Sequence, residues 1–310
     1  MRVIDETFRG ELKEETYIAL GSFDGLHLGH MSLINRVVDE ALADGVKSMV
    51  YTFKNHPLTV AKPEATPKLL MDTQQKLHLL ESSGIDITAV VSFTKEYMKT
   101  EAEAFVRMLL EKYNAKGFVV GFNYKFGYLN KGNVDTLKEL SHKYGFKLMV
   151  LDAALSEDNV ISSTRIRDLI INGRIREANE LLLEPFMLRG TVVGGKKIGR
   201  KIGFPTANMT YDNKYLIPKI GVYYTNITVK GILHRGISSV GYNPTIMNGQ
   251  KLSIETYILD FDEDIYGEEV RLYFLEYMRG EVKYDSLDAL VEQLVKDREQ
   301  AREKELVRLF

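Results

Sequence analysis

The sequence predicts an α/β domain with a mainly parallel, Rossmann-like sheet, followed by an antiparallel β-barrel domain that ends in a C-terminal helix. Two patterns favour this fold class. Strand and helix patterns alternate through the first half, whereas apolar residues alternate in short runs from Phe186 onward. In addition, a chain of 310 residues is long for one hydrophobic core. We therefore expect two domains, at 1–184 and 185–310.

The first half contains five segments that predict strands, at 17–20, 47–53, 87–93, 117–121 and 147–151. An amphipathic helix follows His30, and further helices are predicted over 72–83, 100–113 and 133–144. Thr100 and Glu103 have the spacing of a capping box. Ligands of parallel sheets bind beyond the carboxyl ends of the strands. Because His27, Asn123 and Ser163 each follow a predicted strand, we expect them to converge on one crevice.

The second half begins with a helical segment over 163–183 that Gly173 interrupts. Strands are then predicted at 188–193, 222–229, 232–240, 252–259 and 270–277. Lys230-Gly231 has the composition of a tight hairpin turn. A final helix is predicted over 286–309, with one apolar face that carries Leu287, Leu290, Leu294 and Val295.

The composition narrows the function classes. The net charge is −2, which argues against a nucleic-acid binder that relies on a basic surface. No apolar run reaches the roughly 18 residues of a membrane helix, and the N-terminus lacks an apolar signal core. The chain has no cysteine, so thiolate nucleophiles and cysteine zinc sites are excluded. We expect a cytoplasmic enzyme of small molecules, a monomer or weak homo-oligomer, with no nucleic-acid or membrane partner.

The most informative segment is G-S-F-D-G-L-H-L-G-H at 21–30, which lies between a buried strand and a helix. A strand, a glycine-rich turn and a helix aim backbone N–H groups at a phosphate. His27 and His30 can donate to phosphate oxygens there. A single histidine would more often be a loop or core residue. Two histidines around a glycine, together with a second polar cluster, favour phosphate binding.

That second cluster is I-S-S-T-R-I-R at 161–167. Ser163 and Thr164 can cap a helix and offer hydroxyls to a phosphate, and Arg167 can reach the same anion with several donors. The alternative is a plain helix cap with solvated arginines, and the segment alone does not decide between the two.

A glycine-rich, cationic segment at 190–208 is the main motif of the second half. Its glycines allow the backbone to approach a polyphosphate, although the segment is not a P-loop. Thr206 and Asn208 offer a hydroxyl and an amide oxygen, which suit Mg²⁺. Glu255 lies within a predicted strand, on one face with Tyr257. The alternatives are a mobile basic hairpin and an exposed strand glutamate.

The first-half motifs resemble a known family. The segments 21–30, 53–57, 121–127 and 161–167 are similar to the FMN adenylyltransferase module of bacterial bifunctional FAD synthetases, within the nucleotidylyltransferase superfamily. The resemblance implies that the phosphate of FMN attacks the α-phosphorus of ATP, so that pyrophosphate leaves and FAD forms. It implies that His27 and His30 contact the ATP phosphates, that Arg167 assists catalysis and that Asn123 lies near the flavin. The other ATP-binding positions that it implies are Gly21, Phe23, Asp24, Ser163 and Thr164.

The second-half motifs resemble the riboflavin kinase module that usually follows. They are G-x-x-x-G-R-x-x-G-F-P-T-A-N at 195–208, G-V-Y at 221–223 and the strand of Glu255. The resemblance implies that Thr206 and Asn208 hold Mg²⁺ and nucleotide phosphates, with Gly195 and Gly199 also binding ATP. It implies that Glu255 is the general base that takes the proton of the ribityl 5′-hydroxyl of riboflavin. Many members of the family have arginine directly before Gly199, where this chain has Ile198.

The sequence thus favours one chain with two active sites, which makes FMN from riboflavin and ATP and then FAD from FMN and ATP. Two alternatives stay open. The first-half chemistry could act on another phosphate ester, because several transferases share H-x-G-H. The chain could also be a non-catalytic flavin-binding or flavin-sensing protein.

Overall fold

A computed structural model describes residues 1–195, 198–242 and 252–307 of the chain. The chain forms two compact units. The first consists of Met1–Leu69 and Thr73–Ser162, and the second of Leu70–Asp72 and the chain from Ser163 onward. The first compact unit thus ends at Ser162, earlier in the chain than the predicted boundary between residues 184 and 185. Where the two activities divide stays a prediction.

The first unit is built on a six-stranded sheet in which every pairing is parallel, as predicted. The strand order is β1-β4-β3-β2-β5-β6, and all five residues of the central β2 are buried. The strands are β1 (Arg2–Ile4), β2 (Thr16–Leu20), β3 (Lys47–Phe53), β4 (Ile87–Val91), β5 (Ala115–Gly121) and β6 (Lys147–Leu151).

Six helices accompany this sheet: α1 (Leu28–Asp44), α2 (Leu58–Ala61), α3 (Thr73–Ser82), α4 (Lys95–Met98), α5 (Ala102–Lys112) and α6 (Val134–Tyr144). Asn133 caps α6 and Gly145 ends it in the left-handed region, so this helix is confirmed. The capping box at Thr100 was wrong, because α5 begins only at Ala102 and has no side-chain cap. Thr100 instead closes the turn after α4, where its N–H donates to the Tyr97 carbonyl (3.0 Å).

A short antiparallel hairpin ends the first unit. It consists of β7 (Leu155–Ser156) and β8 (Asn159–Val160), and it forms a sheet of its own. Its turn residues, Glu157 and Asp158, both have positive φ. Ser163 thus follows a strand, as predicted, but that strand is β8 of the hairpin and not one of the parallel sheet, so the sheet edge alone does not bring Ser163 beside His27 and Asn123.

The second unit opens with α7 (Ser163–Ile171) and α8 (Ile175–Leu181), separated by Gly173 at φ +79°, as the sequence predicts. These helices belong with the barrel. The Asn179 side chain of α8 donates to the Phe274 carbonyl (2.8 Å) and accepts from the Phe186 N–H (2.9 Å).

The barrel is closed and antiparallel, with the order β10-β13-β12-β11-β14-β9. Its strands are β9 (Met187–Val193), β10 (Thr206–Met209), β11 (Gly221–Val229), β12 (Ile232–Tyr242), β13 (Leu252–Ile258) and β14 (Glu269–Arg279). The hairpin turn between β11 and β12 is confirmed, since Lys230 and Gly231 have φ of +48° and +82°. The sequence did not predict β10, which pairs with both β9 and β13.

Two helices complete the second unit, α9 (Ile198–Lys201) and α10 (Leu287–Arg302). Ser286 caps α10, as the predicted start requires, but the helix ends at Arg302 and not at 309. On its predicted apolar face, Leu290, Leu294 and Val295 are partly buried, whereas Leu287 in the first turn is exposed; the fully buried positions are Asp297 and Ala301. Asp297 pairs with Arg279 of β14 (2.6 Å). Across the described ranges, no helix has the length and apolar character that crossing a membrane requires.

Candidate functional sites

The chain after β2 makes a tight turn before entering α1. Phe23, Gly25 and Leu26 all have positive φ, at +47°, +89° and +31°, so three residues lie in the left-handed half of conformational space. His27 is the N-cap of α1, and its Nδ1 accepts a hydrogen bond from the His30 N–H (3.2 Å). Because Nδ1 accepts, neutral His27 carries its proton on Nε2, the nitrogen able to donate to a ligand.

The two histidines predicted to bind phosphate stack on each other. Their ring centroids lie 3.6 Å apart with 16° between the planes, and the Phe23 ring meets His30 edge-on at 5.2 Å. Burial lowers the pKa of His30 well below its usual range, and the nearby His27 and Lys76 lower it further. The Nδ1 atom of His30 is buried without a hydrogen-bond partner among the described residues. His30 is therefore neutral at physiological pH and can present an N–H donor to a ligand without adding a positive charge.

Close packing explains why glycines frame the histidines. A Cβ on Gly29 would lie 3.1 Å from Nδ1 of His27 and 3.3 Å from the Ile161 carbonyl oxygen. The segment that leads to the second predicted cluster therefore passes directly beside the histidine turn. Ser163, Thr164 and Arg167 themselves lie in the first turns of α7, where the second compact unit begins.

Asn123 follows the strand next to β2. The strands β2 and β5 pair in parallel, with Ala19 opposite Val119, so their carboxyl ends lie side by side. Asn123 is exposed two residues after β5 ends, at the same sheet edge as the histidine turn. His27 and Asn123 thus follow neighbouring strands at one sheet edge, and their convergence on one crevice stays a prediction.

A buried lysine of α3, Lys76, also contacts this turn and is not among the predicted site residues. Its Nζ donates to the Ser22 carbonyl (2.8 Å) and the Phe53 carbonyl (3.2 Å). Burial lowers the pKa of Lys76 to about 8, and Asp24 partly opposes that shift. A signal was present, because Lys76 shares a helix face with Leu79 and Leu80, where a lone charge is unexpected.

In the second unit, three predicted residues meet across two strands. Pairing of β10 with β13 places Asn208 opposite Glu255 and Thr206 opposite Tyr257. The Thr206 hydroxyl donates to a carboxylate oxygen of Glu255 (3.2 Å). Glu255 and Tyr257 alternate with the buried Ile254, Thr256 and Ile258, so their predicted shared face is confirmed. A hydroxyl, an amide and a carboxylate are therefore brought together outside the barrel core.

The glycine-rich segment folds closely onto these strands. A Cβ on Gly195 would lie 2.2 Å from the Asn208 amide nitrogen, and one on Gly199 would lie 2.1 Å from the Phe204 carbonyl oxygen. Only glycine fits at either position without movement of its neighbour. Lys196 and Lys197 lie outside the described residues, and so does the side chain of Ile198.

A cavity of about 320 Å³ adjoins Thr206. Arg200 and Pro205 line it on the glycine-rich side, and Ile258 and Phe261 form an apolar wall. Asp262 to Asp264 add an acidic edge. Among the described residues, no group of three or more His, Cys, Asp or Glu side chains is arranged to hold a metal ion. Any cation here would therefore depend on hydroxyl and amide oxygens in addition to a carboxylate.

Fold and site together define the class of protein: an enzyme of nucleotide phosphate chemistry with a nucleotidyltransferase-type α/β unit and a kinase-type barrel. The sequence profile of the FAD synthetase family matches residues 10–165, and that of the riboflavin kinase family matches residues 182–304. The chain belongs to the family of bifunctional riboflavin kinase/FMN adenylyltransferases.

Individual relatives agree over nearly the whole length. The bifunctional riboflavin kinase/FMN adenylyltransferase of Listeria monocytogenes is 39% identical over 92% of this chain and 91% of its own. That of Bacillus subtilis is 33% identical, over 94% and 93%. A crystal structure from Streptococcus pneumoniae, described as a macrolide-efflux protein, is 31% identical and covers 98% of this chain and 100% of its own, with a TM-score of 0.90.

Proposed function

We propose that the barrel unit phosphorylates riboflavin and that the α/β unit transfers AMP to the resulting FMN, with the activities dividing into 1–184 and 185–310. The order of the two family profiles along the chain supports this assignment. The histidine pair and the Thr206–Glu255 pair are groups suited to phosphate transfer.

In the barrel, Glu255 acts as general base on the ribityl 5′-hydroxyl of riboflavin, whose oxygen attacks the γ-phosphate of ATP, so that the bond to the β-phosphate breaks, ADP leaves and FMN forms. Thr206 and Asn208 hold Mg²⁺ and the nucleotide phosphates. Their hydroxyl and amide oxygens, beside a carboxylate, are the hard donors that Mg²⁺ prefers. The bound ion would neutralise phosphate charge. Gly195 and Gly199 allow the backbone to approach the ATP, and the adjoining cavity offers an apolar wall to its base.

In the α/β unit, His27 and His30 donate to ATP phosphate oxygens and stabilise the charge that develops as FMN attacks the α-phosphorus. Gly21, Phe23 and Asp24 of the turn remain predicted contributors to ATP binding; Phe23 has positive φ, and its ring packs against Gly21. Asn123, at the same sheet edge, contacts the flavin substrate. Ser163, Thr164 and Arg167 remain predicted contributors to ATP binding, and Arg167 to catalysis.

The localisation, oligomeric state and partners of the enzyme follow from the same reasoning. We infer a cytoplasmic enzyme, a monomer or weak homo-oligomer, without nucleic-acid or membrane partners. The net charge of −2 and the small size of riboflavin, FMN and ATP support this inference.

The observation that carries the residue assignment is that each unit has its own polar cluster, the stacked histidines in one and Thr206–Glu255 in the other. Replacing Glu255 by Gln removes the base and should stop conversion of riboflavin to FMN, while added FMN still becomes FAD. Separate assays of the two steps, with products resolved by chromatography, test this. Equal loss of both steps would contradict separate sites.

The matched variant in the other unit is His30→Ala. Loss of one preorganised donor should raise the barrier to FAD formation by roughly 2–4 kcal/mol and leave riboflavin phosphorylation unchanged. The same two assays measure it. A loss confined to riboflavin phosphorylation would show that the assignment of units to steps is reversed.

A further inference from the structure

Lys76 is the one charged side chain of α3 that the fold buries, with 6% of its surface exposed among the described residues. Its Nζ lies 2.8 Å from the Ser22 carbonyl oxygen, 3.2 Å from the Phe53 carbonyl oxygen and 3.4 Å from the Thr52 hydroxyl. An ammonium has three N–H donors, and three oxygens surround this one. Burying a charge is costly, and these three oxygens offset only part of that cost. The position of Lys76 therefore needs an explanation beyond packing.

These contacts converge on the histidine turn. Ser22 lies between β2 and the positive-φ residues that lead to His27, and its carbonyl accepts from both Lys76 Nζ and the Thr52 hydroxyl (2.9 Å). Phe53 is the last residue of β3, the neighbour of β2. Lys76 therefore ties the start of the turn to the end of the adjacent strand.

The charges around Lys76 belong to the same turn. Asp24 is buried and favours the charged form of Lys76, while the nearby ammonium disfavours a proton on His30. From β3 the contacts come from Thr52 and Phe53, neither of which titrates. Among the described residues, Asp24 of the turn and His30 of α1 are thus the titratable groups that interact with this ammonium.

We propose that Lys76 is a positioning residue for AMP transfer, which holds the Ser22 carbonyl so that the turn presents His27 and His30 to the triphosphate of ATP. This inference rests on the proposed function of the α/β unit. Lys76 lies outside the histidine motif and its turn. It acts on catalysis through the turn and does not contact the reacting atoms.

Because Lys76 is buried, FAD synthesis and folding stability should depend on pH in opposite directions. With a pKa of about 8, Lys76 loses its charge as the pH rises through 8, so kcat/KM for ATP in FAD synthesis should fall there. Stability should move the other way. Since the folded pKa lies below the ordinary value of 10.5, the unfolded chain binds more protons between pH 8 and 10.5, and the Lys76 contribution to folding improves over that range. A purely structural lysine would not give falling activity with rising stability.

The experiment measures FAD synthesis from FMN and ATP between pH 6.5 and 9.5 for the full-length wild type, Lys76→Met, Lys76→Arg and Thr52→Val. Thr52→Val is the matched control, since it removes the other donor to Ser22 and keeps the charge. Riboflavin phosphorylation by the same samples and thermal unfolding report on integrity. His30→Ala is run beside them as the test of the proposed function.

We expect Lys76→Met to lower kcat/KM for ATP about 10- to 100-fold, the effect of losing charged hydrogen bonds, with no decline near pH 8. Thr52→Val should lose less than about 5-fold and keep the decline. Lys76→Arg should retain more activity than Lys76→Met and remain active above pH 8, because arginine keeps its charge. Should Lys76→Met fail to fold, the Lys76→Arg and wild-type profiles decide.

Wild-type and Lys76→Arg profiles that coincide across pH 8 would overturn the proposal, and so would a Lys76→Met enzyme as active as the wild type. If His30→Ala loses FAD synthesis while the Lys76 variants do not, only the Lys76 proposal fails. If His30→Ala retains FAD synthesis, the proposed site itself is wrong and the Lys76 proposal falls with it.

Discussion

At the scale of single residues, burial decides the protonation states on which the α/β unit depends. His30 has a lowered pKa because it is desolvated and lies beside His27 and Lys76. The buried Nδ1 of His30 has no hydrogen-bond partner among the described residues. When Nδ1 carries the proton of the neutral ring, a phosphate oxygen of bound ATP would supply the missing acceptor.

A pH dependence of stability follows from this burial. Folded His30 rejects a proton that the unfolded chain accepts near pH 6.5, so the free energy of unfolding should fall as the pH drops below about 6.5. The His30 contribution to the slope is at most about 1.4 kcal/mol per pH unit. Denaturant unfolding of the wild type and His30→Asn at pH 5.5 and 7.5 measures the difference. Parallel losses in both proteins would contradict a buried, neutral His30.

The sequence was enough to predict the site residues whose spacing within one motif is set by their chemical role. The spacing of His27 and His30 around Gly29 is visible in G-L-H-L-G-H, and the structure adds that Gly29 leaves room for the His27 ring and the Ile161 carbonyl. Lys76 was missed because its role comes from two carbonyls that are far away in sequence. No local pattern encodes those partners.

At the scale of secondary-structure elements, prediction succeeded where the cap, periodicity and end signals of a segment agree. It failed where the conformation of a segment depends on pairing with a distant strand. The helix over Val134–Tyr144 has its cap and its terminal glycine in the sequence. In contrast, β10 is four residues of weak strand preference, and its conformation depends on pairing with β9 and β13. The end of α10 is also set from outside, because Arg235 and Tyr224 donate to the carbonyls of Lys304 and Glu305 (2.6 and 2.9 Å).

The glycine-rich segment allows a controlled test at this scale. Gly195→Ala would place a Cβ 2.2 Å from the Asn208 amide nitrogen, whereas a Cβ on Gly194 meets nothing within 4 Å. We expect Gly195→Ala to displace Asn208 and raise KM for ATP in riboflavin phosphorylation at least about 10-fold, as loss of a well-placed polar contact does. Gly194→Ala should behave as the wild type, and FAD formation from FMN should be unchanged in both. Equal KM values for the two variants would show that Asn208 does not bind the nucleotide.

At the scale of the whole molecule, two compact units carry two separate clusters of phosphate-type residues. The switch from alternating strands and helices to short antiparallel strands made this division predictable. The point of division was harder to see, because α7 and α8 look like a continuation of the α/β pattern although Asn179 fastens α8 to the barrel. Local periodicity cannot show on which core a helix packs.

We expect the two units to have independent sites that free FMN links. The most direct measurement mixes equal amounts of Glu255→Gln and His30→Ala proteins with riboflavin, ATP and Mg²⁺ and follows FAD over time. Each protein alone should make little or no FAD from riboflavin, while the mixture should make it after a lag in which FMN accumulates. A mixture that forms FMN but no more FAD than the separate proteins would contradict independent sites linked by free FMN.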